Sequence, residues 1–121
     1  MSEFENNYDL EPRTIKFSSE LIILCRACPR DIVTIPIINQ LIRSGTSIGA
    51  NYREANGASS KKDFQNKIFI CKKESKETLY WLELLGKAIS DEKLIKECRR
   101  LWQETKELVL IFGKIAHSTK Q

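Results

Sequence analysis

Residues 64–89, FQNKIFICKKESKETLYWLELLGKAI, decide the fold. Phe64, Ile68, Cys71, Ser75, Thr78, Leu82, Leu85 and Ile89 recur at alternating steps of four and three without a slip. A mean step of about 3.5 residues keeps one stripe of a helix turned toward its neighbours along its whole length. Such a seam suits near-antiparallel helices crossing at about 20°. Its middle members, Cys71, Ser75 and Thr78, are small or polar. A close-packed or hydrogen-bonded layer is therefore expected halfway along the molecule. Just upstream, Ser60-Lys61-Lys62-Asp63 has the Ser-x-x-Asp form of a capping box, which places this helix at about 61–88.

Downstream, Ser90-Asp91-Glu92 caps a helix over about 91–116, in which Leu94, Cys98, Leu101, Thr105, Leu108, Phe112 and Ile115 repeat the same steps. Upstream, Asn56-Gly57 is a breaker. Before it, Ile38, Leu41, Gly45, Ile48 and Tyr52 mark a helix over about 35–55, with Thr34 as its expected cap. Phe17, Leu21, Leu24 and Cys28 give the stripe of a first helix, about 12–28, opened by Pro12 and ended by Pro29. Residues 1–11 show no sustained period and read as a loose arm. Four amphipathic helices with short connections predict an all-α fold, an up-and-down antiparallel four-helix bundle over 12–117.

One helix resists its own geometry. Gly45 and Gly49 lie inside the second helix, where each costs roughly 1 kcal/mol against Ala. Either a neighbouring helix packs closely there, or the helix bends to turn Ser47, Asn51 and Glu54 toward a partner. A second excess lies on the third and fourth helices. Leu108-Val-Leu-Ile-Phe112 wraps more than one helix face, and Tyr80, Trp81 and Leu84 stand beside the seam. Tyr80, Trp81, Leu84, Leu110 and Ile111 are accordingly expected to mediate self-association.

At 121 residues the chain forms one domain and can bury a core without disulfides or metal. No apolar run approaches the ~20 residues needed to cross a bilayer, and the acidic start MSEFENNYDLEP lacks a signal-peptide pattern, so a cytoplasmic protein is expected. The net charge of +4 is modest but clustered: residues 61–76 hold six lysines against Asp63 and Glu74. Lys61, Lys62, Lys72, Lys73 and Lys76, with Arg43 and Arg53, are the candidate contacts for nucleic-acid phosphates. The alternative is an ordinary solvated helix face.

Catalytic signals are absent. His117 is the single histidine, close to the chain's end, and no phosphate loop or nucleophile–base pair is present. Cys25-Arg-Ala-Cys28 has the spacing of zinc and redox pairs, but Cys71 and Cys98 stand alone and the pair ends its helix instead of beginning it. Core packing is the first reading of all four cysteines. A metal- or thiol-redox-dependent protein using Cys25 and Cys28 is the rival. The sequence points to a non-enzyme without a cofactor.

Three runs carry a resemblance: Ser47-Ile-Gly-Ala-Asn-Tyr-Arg-Glu54, Ser60-Lys-Lys-Asp-Phe64, and Lys72-Lys-Glu-Ser-Lys-Glu-Thr-Leu-Tyr-Trp-Leu-Glu-Leu-Leu85. In this order and spacing, over about residues 10–116, the chain resembles the bacterial four-helix-bundle proteins encoded in intervening sequences of large-subunit ribosomal RNA genes. The resemblance implies a short up-and-down bundle assembled into a homo-oligomer, a ring of five. It also implies kinship to the accessory protein of diversity-generating retroelements, which works with a reverse transcriptase and RNA or DNA. The chain departs from that pattern in carrying Gly49 where many relatives carry Pro, and in being less basic than the retroelement branch. The family pattern falls on Ser47, Ala50, Asn51, Glu54, Phe64 and Glu77. Ser47, Asn51, Glu54 and Glu77 are expected to form a structural polar network that fixes helix register. The function expected is that of a non-catalytic oligomeric scaffold or accessory protein, or else a purely structural oligomer.

Overall fold

A computed structural model describes residues 2–119, with side chains from Leu10 onward. Helices α1 (Ser2–Ala27), α2 (Thr34–Asn56), α3 (Lys61–Ala88) and α4 (Glu92–Ser118) are joined by connections of six, four and three residues. Each helix packs on the next and α4 returns to α1. The diagonal pairs, α1 with α3 and α2 with α4, make no close backbone approach among the described residues. That order is an up-and-down four-helix bundle. None of the described helices is long and apolar enough to cross a membrane.

The heptad stripes form the core. Phe17, Leu21, Leu24, Leu41, Ile48, Tyr52, Ile68, Leu82, Leu85, Leu101, Leu108 and Phe112 are all buried. At mid-bundle, Thr78 Oγ1 lies 2.7 Å from the Glu74 carbonyl and shares a 3.0 Å hydrogen bond with Ser44 Oγ on α2. Ser75 Oγ donates to the Cys71 carbonyl at 2.7 Å. Every hydroxyl in this layer thus has a partner, as burial demands.

The two helical glycines are explained by close packing. A Cβ at Gly45 would run into Leu21 Cδ2, and one at Gly49 would lie 3.0 Å from both Thr14 Cβ and Thr14 Oγ1. Both positions let α1 settle against α2, which offsets the lost helix propensity.

Two boundaries differ from expectation. The helix expected from Pro12 begins at Ser2, so Pro12 lies within α1 and residues 2–11 belong to the helix instead of an arm. Leu10 is buried, and Glu11 accepts a 2.7 Å hydrogen bond from Asn56 Nδ2, so contacts to α2 hold the chain helical through the proline. Thr34 does not cap α2 but is its first residue; Asp31 supplies the cap. The Asp31 carboxylate accepts from the Val33 and Thr34 N–H groups at 2.8 and 2.9 Å. Thr34 Oγ1 instead donates to the Pro29 carbonyl at 2.7 Å, closing the turn. Ser60 and Asp91 cap α3 and α4 as their sequences suggest.

Candidate nucleic-acid interface

The core stripe of α3 leaves the opposite side of this helix facing outward. At 100° per residue, Lys62, Phe69, Lys73, Lys76 and Tyr80 share that outer side within about 60° of arc. All five are exposed. Lys61 is also exposed, while half-buried Lys72 turns toward α4, where its Cε lies 3.7 Å from the position of a Cβ at Gly113.

The seven expected basic contacts divide into two groups. Lys61, Lys62, Lys72, Lys73 and Lys76 have no acidic partner at ion-pair distance among the described residues, whereas Arg43 and Arg53 do. Arg43 reaches across from α2 to Glu74 at 3.2 Å and to Glu77. Arg53 lies 3.7 Å from Glu11. Lys67, which stands outside those seven, is bound by Glu54 at 2.8 Å. The charge of the α2–α3 seam is therefore largely compensated within the protein, and that of the outer face of α3 is not.

The four residues of the expected polar network fall into three separate arrangements. Asn51 Nδ2 donates to the Ser47 carbonyl and to Ser47 Oγ, both at 2.9 Å, within α2. Glu77 accepts from Arg43 and, at 2.8 Å, from the Trp81 indole N–H. Glu54 is exposed and pairs with Lys67. Contacts that tie α2 to α3 come from Ser44 with Thr78, from Arg43 with Glu74 and Glu77, and from Glu54 with Lys67. Ser44 escapes a reading of the sequence because it lies one position off the apolar stripe.

The expected oligomer contacts do not form one patch either. Trp81 and Ile111 pack against the protein's own core, and Leu84 is half-buried. Tyr80 is 55% exposed and sits edge-on against Trp81, with ring centroids 4.9 Å apart. Leu110, 63% exposed, lies on α4. Sequence reasoning does not single out Phe69, which is 50% exposed. The signal is nonetheless present: Phe69 follows Ile68 directly, so a helix that buries Ile68 must turn Phe69 well away from the core.

All four cysteines are buried and free. Burial pushes the thiols of Cys25, Cys71 and Cys98 up to about 12, and burial with the Asp91 charge raises Cys28. At neutral pH such thiols hold almost no thiolate, the form that attacks or binds metal. Among the described residues no three His, Cys, Asp or Glu side chains are arranged to hold a metal ion. A groove of about 380 Å³ runs between α3 and α4 over Leu82, Gly86, Ile95, Cys98 and Trp102. Glu83, Lys87 and Arg99 edge it.

Comparison with known proteins places this geometry. The model of the family described as 23S rRNA-intervening sequence protein matches residues 7–111. The chain belongs to that family. A similar solved structure is the crystal structure of a protein with unknown function from the S23 ribosomal protein family of Bacteroides thetaiotaomicron VPI-5482. It is 30% identical, with a TM-score of 0.74, and the match covers 92% of this chain and 97% of that one. No curated protein matches the chain. Within the intervening-sequence protein family, then, this member presents a bundle with a run of lysines on α3 that no acid of the described residues pairs.

Proposed function

We propose that the protein is a non-catalytic, oligomeric accessory protein that engages RNA through the lysine-bearing outer face of α3. The observation that carries this reading is the division of charge. Arg43 draws Glu74 and Glu77 toward α2, while Lys61, Lys62, Lys72, Lys73 and Lys76 are left without acidic partners among the described residues. Three of them, Lys62, Lys73 and Lys76, share the outer face, and unpaired cations on one helix face suit a polyanion, because each phosphate they neutralise releases condensed counterions. Arg43 and Arg53 act in this scheme by shaping the local charge more than by touching phosphate. Self-association, as a ring of five by family resemblance, would use apolar residues exposed elsewhere on the bundle, Leu110 among them.

The test is binding of labelled 23S-type ribosomal RNA at about 50 and 200 mM salt, where several phosphate contacts change affinity by orders of magnitude. Salt-sensitive binding that Lys72→Glu with Lys73→Glu abolishes is the expected outcome. Absence of binding at low salt overturns the reading. Native mass measured alongside is expected near five copies of the 14.0 kDa chain, about 70 kDa.

A further inference from the structure

We propose that the outer face of α3 is a stacking platform for single-stranded nucleic acid. Phe69 and Tyr80 take bases, and Lys73 and Lys76 hold the phosphates between them. The proposal rests on the nucleic-acid reading above and adds to it the class of strand. Phe69 and Tyr80 are half exposed on a helix whose other large apolar side chains are buried or half-buried, an expense of apolar surface the bundle does not need. Eleven residues apart, they lie about 16 Å apart along the axis and about 20° apart around it. Lys73 and Lys76 fall between them on the same side, both exposed.

Two features make this strip more than a solvated face. The acids between Phe69 and Tyr80 are Glu74 and Glu77, and Arg43 holds both against α2, so no carboxylate competes between the two rings; the nearest exposed one is Glu83, one turn past Tyr80. Tyr80 is also braced: its ring sits edge-on against Trp81, whose indole N–H is fixed on Glu77 at 2.8 Å. A ring held in place loses little freedom when a base stacks on it.

The occupant follows from this chemistry. Aromatic faces spaced by cations serve unpaired bases joined by phosphates, whereas the bases of a duplex are stacked on one another and out of reach. A second copy docking the same face about a two-fold axis would set lysines against lysines.

The experiment measures fluorescence anisotropy with a labelled oligo(A) RNA strand of about 15 nucleotides and an RNA duplex of equal length. The strand is expected to bind at least tenfold more tightly than the duplex. Phe69→Leu and Tyr80→Leu should each weaken strand binding by roughly 5- to 100-fold with the salt slope unchanged, and Phe69→Trp should bind like the parent. Lys73→Gln with Lys76→Gln should flatten the slope by about 0.7 for each phosphate no longer neutralised. Thermal melts of the leucine variants serve as the folding control. Equal affinity for strand and duplex, with the leucine variants unaffected, overturns the stacking platform and leaves the phosphate-binding reading standing. No binding of either at about 50 mM salt overturns both. Leucine variants that lower the native mass without changing strand affinity also overturn the platform, because the face is then a subunit contact.

Discussion

Gly45 and Gly86 both interrupt helices of this bundle, yet an added methyl group has opposite consequences at the two. At Gly86 the nearest atom to a new Cβ is Cys98 Cβ at 3.8 Å, ordinary contact. Gly86→Ala should then raise stability by up to about 1 kcal/mol through helix propensity alone. At Gly45 the methyl collides with Leu21, a buried core residue, and at Gly49 it presses on the Thr14 side chain at its root. Overpacking of this kind typically costs about 1–3 kcal/mol, more than propensity returns. Urea titrations should place Gly45→Ala and Gly49→Ala below the parent midpoint and Gly86→Ala above it. The sequence poses this question at Gly45 and Gly49 without answering it. Composition shows that two glycines resist the helix, but only the packed neighbour reveals that α1 is the cause.

At the scale of the element, the start of α2 depends on one carboxylate. Asp31 accepts N–H bonds from Thr34 and Val33, and these hold its carboxyl below the usual range. A lowered pKa means that the folded protein prefers the charged form. The stabilisation is complete above the unfolded value, about 3.9, and is lost as pH falls through the lower folded value. Melting temperature against pH should drop for the parent below about pH 4, and Asp31→Ala should lower the plateau and make that drop shallower. An unchanged acid limb in the variant would show that Asp31 carries no part of it. Element boundaries of this sort are partly legible in the sequence. Ser60 and Asp91 stand immediately before strongly periodic runs, and they cap as expected. Asp31 stands three residues before its helix, behind Thr34, and only the turn closed by Thr34 Oγ1 on the Pro29 carbonyl brings it to the helix end. The α3 stripe is readable in full because the heptad does not slip. Its outer face is half readable: lysines announce themselves, whereas an exposed phenylalanine looks like core until the register is fixed. The partition of Arg43 from the lysines is not readable, since it depends on a contact between residues more than thirty apart.

For the molecule as a whole, the contact between α1 and α4 closes the ring of helices, and it is built differently from the others. The α2–α3 and α3–α4 seams rest mainly on the buried heptad layers, whereas α1 meets α4 over a narrower strip edged by ion pairs. Arg13 Nε and Nη2 donate to the two carboxylate oxygens of Glu104 at 2.7 and 2.8 Å, and Nη2 also reaches Glu107 at 2.9 Å. Arg100 in turn bridges Glu97 on its own helix and Glu20 on α1. A two-pronged guanidinium–carboxylate bond is stronger and more directional than a single surface pair, and here both partners are partly shielded from water. Glu104→Gln keeps the size of the side chain and removes its charge, so it should cost about 1 kcal/mol. Because part of that loss is Coulombic, the gap in melting temperature between parent and variant should narrow as salt rises from about 50 to 500 mM. Hydrogen exchange distinguishes a local from a global effect. If α1 is the last helix to dock and the first to leave, amides of residues 10–24 should exchange faster in the variant while those of α3 keep their protection. A uniform acceleration in all four helices would mean instead that the bundle opens as one unit and that α1 is no weaker than its neighbours.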